Sequence, residues 1–226
     1  HNVDAKRGQR GEGFELRTDK WGAIRGGKGL FITADTQPGA SGQMLEMDDA
    51  IAQLEQALTL ARSMSKAAQT AKATPGDTDL QQALNKSLSK MKAPGIVVSA
   101  PDGIGLVSPK AIRVASGSES VAVMSGGHTD ISSGKSFTVS ASDAVSLFAQ
   151  SAGMQLFAGN GKVDIQAQAD ALAASAQKDV TITSTEGKAM VNASQALILN
   201  CAGAYIKISG GNIALGAPGN IFLKAT

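Results

Sequence analysis

The chain has 226 residues, 21 of them basic and 19 acidic, so its charge implies no general attraction to nucleic acid or to a membrane surface. Only 4% of residues are aromatic, too few for an ordinary globular core of this length, and the single cysteine, Cys201, excludes an intrachain disulfide framework. There is no secretory leader and no apolar run of transmembrane length, and a start at His1 rather than Met points to a fragment of something larger.

Residues 1–40 are Gly-rich and hold the only basic excess. Two runs in this segment, Phe14–Thr18 and Gly29–Asp35, alternate in the manner of strands. Glu15, Arg17, Asp19, Lys20 and Arg25 suggest an acid/base or phosphate site, but they fit better as ion pairs on outer strand faces and in turns, where each contributes little. Gly26-Gly27-Lys28-Gly29 lacks the following Ser/Thr and helix of a phosphate-binding loop. Trp21 is expected to anchor the segment against the shaft or the helices beyond it.

From Ser41 the period changes. Met47, Ile51, Leu54, Leu58, Ala61, Ser65 and Ala68 step by four and three, which is the seam of a packed helix over residues 46–72. Asp48 and Asp49 in its first turn suit the helix dipole. Thr74-Pro75-Gly76-Asp77 is expected to stop it. A second helix over 78–92 follows, with Thr78 as N-cap and Leu80, Ala83, Leu84, Leu88 and Met91 as its apolar stripe. That stripe could receive a cargo protein, yet packing against the partner helix is the simpler use. Residues 41–94 therefore read as a helical hairpin inserted between two β segments.

From Gly95 to Thr226 a short strand recurs about every eight residues. Ile96/Val98, Ile104/Leu106, Ile112/Val114 and Val121/Val123 open the series, and Ile206/Ile208, Ile213/Leu215 and Ile221/Leu223 end it. Thr129/Ile131 and Leu172/Ala174 are weaker beats within it. The i, i+2 pairing gives each beat one buried face, and the intervening Gly, Ser, Asn and Asp supply turns. With no three-beat super-period, a single-chain β-helix is disfavoured. A strand with two inward side chains buries little alone, and three chains wound about one axis would give every strand a partner on both edges. The expected fold is mostly β: an intertwined homotrimeric triangular β-helix (β-prism) over 95–226, with the helical hairpin inserted at 41–94 after the strand segment 1–40.

The repeat offers little chemistry. His1 and His128 are the only histidines. Triplicated His128 near Asp130 could hold a metal on a three-fold axis, but its place between beats argues for a turn. Cys201 sits beside a beat and reads as a small buried or half-buried filler. No Gly-x-Ser-x-Gly elbow has a His and Asp to go with it. The reading is of no catalytic, cofactor-binding or metal site, and no enzyme.

The string Arg-Gly-Glu-Gly-Phe-Glu-Leu-Arg-Thr-Asp-Lys-Trp-Gly-Ala-Ile-Arg-Gly-Gly-Lys-Gly-Leu, Arg10 to Leu30, closely resembles a segment of the VgrG proteins, the trimeric spikes of the bacterial type VI secretion system. The resemblance continues through the helical stretch and the repeat. It implies a needle that a contracting sheath drives through target membranes, with effector proteins and a sharp tip protein carried at its C-terminal end or along its shaft. It further implies assembly in the bacterial cytoplasm, then secretion or injection into a periplasm or target cell, with only transient membrane contact and no nucleic acid. Docking on the inner-tube protein would belong to an N-terminal head outside this sequence. A phage-type tail spike or fibre shaft is physically the same object, and only the Arg10–Leu30 string separates the two. A single-chain β-helix acting on carbohydrate should cluster carboxylates along one groove, whereas Asp164, Asp170 and Asp179 fall on beats of differing phase.

Overall fold

The computed structural model describes residues 13–224, which divide into two compact units with the boundary after Leu156. His1, Arg10 at the head of the signature string and Thr226 lie outside the described residues.

In the first unit, Gly26 to Gly29 close a turn in which the Gly29 N–H donates to the Gly26 carbonyl at 3.0 Å. Gly29 has φ 125°, and a Cβ there would lie 3.0 Å from the Gly95 carbonyl oxygen, so both conformation and space require glycine. The turn delivers β1 (Leu30–Thr33), which pairs in parallel with β2 (Ile96–Ser99), Leu30 opposite Ile96. Parallel neighbours need a long crossover, and the helical hairpin supplies it. Phe14–Thr18, expected as a strand, is not part of a strand among the described residues.

The hairpin consists of α1 (Asp48–Thr70) and α2 (Thr78–Leu88). All seven predicted seam residues of α1 are buried or half-buried, with Leu58 the most enclosed. The helix stops before Pro75. Lys72 adopts φ 61°, its N–H donates to the Gln69 carbonyl, and the Ala73 N–H reaches back to the Ala68 carbonyl. This is a Schellman motif with lysine in the left-handed position. Met91, at φ 43°, ends α2 by the same pair of bonds, Met91 N–H to Leu88 and Lys92 N–H to Ser87.

The N-cap of α2 is Asp77, not Thr78: its carboxylate accepts from the N–H groups of Asp79 and Leu80, both at 3.1 Å. The predicted stripe on α2 is also displaced. Thr78, Gln81, Asn85 and Leu88 are the shielded positions, while Ala83 is exposed and Leu84 is 58% exposed. Asn85 is buried because its amide donates to the Leu54 carbonyl on α1 at 3.0 Å. A polar group that finds such a partner fits between helices, and Leu80 and Leu84 turn outward.

The hairpin lies beside the repeat of its own unit. The Thr74 N–H donates to Ser146 Oγ at 3.2 Å. A cleft of about 440 Å³ separates Ala61, Ser65, Ala68 and Gln81 from Val121, Val123 and Phe148.

In the second unit, β3 (Ala196–Cys201), β4 (Ala204–Ser209) and β5 (Asn212–Gly216) form an antiparallel meander in the order β3-β4-β5. Its two-residue turns, Ala202-Gly203 and Gly210-Gly211, have φ values of 48°, 86°, 55° and 78°, all positive as a type I′ hairpin turn requires. The expectation that every beat finds its neighbours in other chains is therefore corrected for Leu197/Leu199, Ile206/Ile208 and Ile213/Leu215. These three pair with each other inside one chain, because two-residue turns rich in glycine permit it.

Candidate functional site

Between Ala100 and Gln195 no described residue belongs to a strand or helix. The chain is extended, bends once per beat, and among the described residues no backbone N–H in this span meets a backbone carbonyl. Its beats stand open, as at Ile112, Val121, Val145 and Val163. A run of exposed aliphatic faces this long is the kind of surface that marks an interaction site.

The bends have a common device. Ser108, Ser116, Ser125, Ser133 and Ser184 each accept, through Oγ, the N–H two or three residues on, at 3.1–3.4 Å. Ser125 and Ser133 also donate to the carbonyls of His128 and Ser136. Each of these serines stands four residues after the opening residue of its beat, and alanine holds the same place at 100, 141, 149, 158, 167, 176, 193 and 217. Cys201 occupies that small-residue place too. The regularity is readable in the sequence by aligning beats on their fifth position. It lies on the same parity as the two aliphatics, so a small side chain ends each inward face beside the turn.

Around this unpartnered face the residues that suggested chemistry are scattered. Arg17 and Asp19 form an exposed ion pair at 3.2 Å, of the kind worth little. The Gly26–Gly29 run is a turn into a strand, with no helix behind it. Trp21 is 99% exposed in the single chain. His128 lies in the turn closed by Ser125 and is exposed. Asp164 pairs with Lys162 at 2.9 Å, and Asp170 accepts from the Ala171 N–H. Among the described residues no three His, Cys, Asp or Glu side chains gather as a metal site, and no helix is long and apolar enough to cross a membrane. Cys201 is exposed in the single chain.

That face is the most developed apolar surface in the second unit. The register β3-β4-β5 places Leu197, Ile208 and Ile213 in one row and Leu199, Ile206 and Leu215 in the next, with Cys201 and Ala204 beyond. Ile206 is 41% and Ile213 70% exposed. Lys207, Ala214 and Ile198 lie on the opposite face. Tyr205 is held beside Gly216, where a Cβ would come within 2.4 Å of the ring.

Known proteins share this sequence and fold. The family model described as uncharacterized protein conserved in bacteria (DUF2345) matches residues 83–226, and the type VI secretion system Rhs element Vgr model matches residues 1–68. The type VI secretion system spike proteins VgrG2b and VgrG2a of Pseudomonas aeruginosa are each 32% identical over 96% of this chain. The chain spans about a quarter of those relatives' lengths, 22% and 27%. A solved VgrG spike of the type VI secretion system is 63% identical, with a TM-score of 0.96 over 99% of this chain and 85% of that one. A second structure, the Tle1 effector bound to the VgrG spike, matches with the same identity and score over 100% of this chain and 70% of that one. The exposed beats, the helical crossover and these matches lead to one conclusion: the chain belongs to the VgrG family of type VI secretion spike proteins.

Proposed function

We propose that three copies of this chain wind in parallel into a triangular β-prism that serves as the structural needle of a contractile secretion machine. The carrying observation is the span 100–195, whose aliphatic beats are open and whose backbone finds no strand partner among the described residues. Neighbouring copies would supply both, since a parallel three-fold winding gives each beat two flanking strands. In this reading residues 1–40 lead into the assembly, 41–94 form a hairpin outside it, and 95–226 form the prism. The role is mechanical and not enzymatic. The needle, assembled in the bacterial cytoplasm, would be driven through the target membrane and pass into a periplasm or target cell. Effector proteins and a tip protein would ride on it, as the likeness to an effector-bound spike supports.

Light scattering coupled to size exclusion tests the assembly: folded material should have three times the 22.9 kDa chain mass. A folded species of one chain mass would overturn the proposal. Delivery is tested by export into the medium, which should stop when the sheath of the producing cell is locked against contraction.

A further inference from the structure

We propose that the β3–β5 meander is the seed of assembly: it forms within a single chain and presents its aliphatic face to two further copies before the rest of the repeat acquires structure. The inference rests on the three-chain reading above and adds an order of events to it.

Three observations carry it. Of the described residues from Ala100 onward, only those in β3, β4 and β5 join their backbones in a strand ladder within the chain. The ladder is local, with two-residue I′ turns whose glycines already accept positive φ, so it closes on the microsecond scale with little loop entropy to overcome. The face it then presents, Leu197, Leu199, Ile206, Ile208, Ile213 and Leu215, bears no charge and is largely uncovered.

The committed occupant is the same face of the other two copies. The i, i+2 aliphatic pattern of the meander is that of the open beats upstream, so a shared interior would continue through both. A rigid preformed face loses less freedom on association than the extended span 100–195, which must order its backbone and find its partners in one step. Encounters between meanders are thus the productive ones, and pairing of the repeat spreads from them toward the N-terminus.

The test refolds the full chain from denaturant and pulse-labels its amides. Protection in β3–β5 should appear first, at a rate independent of chain concentration. Protection across 104–191 should follow, at a rate that rises with concentration. Replacing Gly211, φ 78°, by valine strains the second turn and should slow appearance of the trimer roughly 5–30-fold. Gly161→Val, at φ 92° within the open repeat, should leave the rate of trimer appearance within about twofold, because strain formed after the rate-limiting encounter does not slow it. Simultaneous protection of both regions, earlier protection in 104–191, or equal slowing by the two variants would overturn the seed while leaving the trimer intact. A folded protein of one chain mass would instead remove the three-chain reading beneath it.

Discussion

Asn85 and Leu84 are neighbours whose roles are the reverse of what their polarity suggests. Asn85 is enclosed and bonded to the Leu54 carbonyl, whereas Leu84 stands outside the hairpin. Asn85→Ala should destabilise the hairpin by about 1–2 kcal/mol through the lost bond and packing, while Leu84→Ser should stay within about 0.5 kcal/mol. Thermal unfolding followed by helical circular dichroism reads both. Lys72 offers the opposite opportunity, since it holds φ 61° where glycine is the natural occupant. Lys72→Gly should raise stability by about 0.5–1 kcal/mol, the relieved strain exceeding the extra freedom glycine gives the unfolded chain. A fall in the melting temperature would show that the lysine side chain holds the helix end by contacts that outweigh its backbone cost.

At the scale of elements, the Tyr205–Gly216 pair locks β4 to β5. Gly216→Ala would force the ring away, and a loss of about 1–3 kcal/mol in chemical denaturation is expected from such overpacking. The seam of α1 was legible in the sequence because Met47 through Ala68 keep a strict four-three step that only one helical face satisfies. The stripe of α2 was not, because polarity misplaced it: Gln81 and Asn85 read as surface until the Leu54 carbonyl is seen to receive the Asn85 amide. The end of α1 was likewise set by the left-handed Lys72 and not by the conspicuous Pro75-Gly76. Among the beats, spacing announced strands, but which pair within a chain depends on turn chemistry. Gly210-Gly211 signals a tight hairpin to the eye, whereas Ala202 at positive φ does not. The candidate site was legible as a pattern of open aliphatic pairs, while Cys201 and Trp21, expected to be covered in a three-chain shaft, are exposed in one chain.

For the whole molecule, the sharpest discrimination comes from substitutions one residue apart. Ile206 shares a face with Leu199 and Leu215, and Lys207 lies on the other. In a three-chain interior Ile206→Asp would set three carboxylates at one level, costing several kcal/mol for each buried charge, on the order of 3–5. Lys207→Asp should change stability by about 0.5 kcal/mol or less, as exposed positions do. Comparing the melting temperatures of the two variants decides the assignment, and equal losses would refute it. A slip of one residue in register would exchange the two outcomes, so the pair also reports whether the sheet faces inward as drawn.

The parallel pairing of β1 with β2 carries a consequence for a chain placed under tension. Leu30 and Ile96 begin the two strands at the same end, so a pull on residues before β1 and after β2 acts on the ladder in opposite directions along the strands. All of its bonds, from Leu30 N–H to the Gly95 carbonyl through Ala34 N–H to the Ser99 carbonyl, then resist together in shear. An antiparallel joint such as β3–β4, pulled at its open end, would yield one bond at a time. While the short β1–β2 clasp holds, force passes from strand to strand and bypasses the helices between them, leaving that hairpin slack.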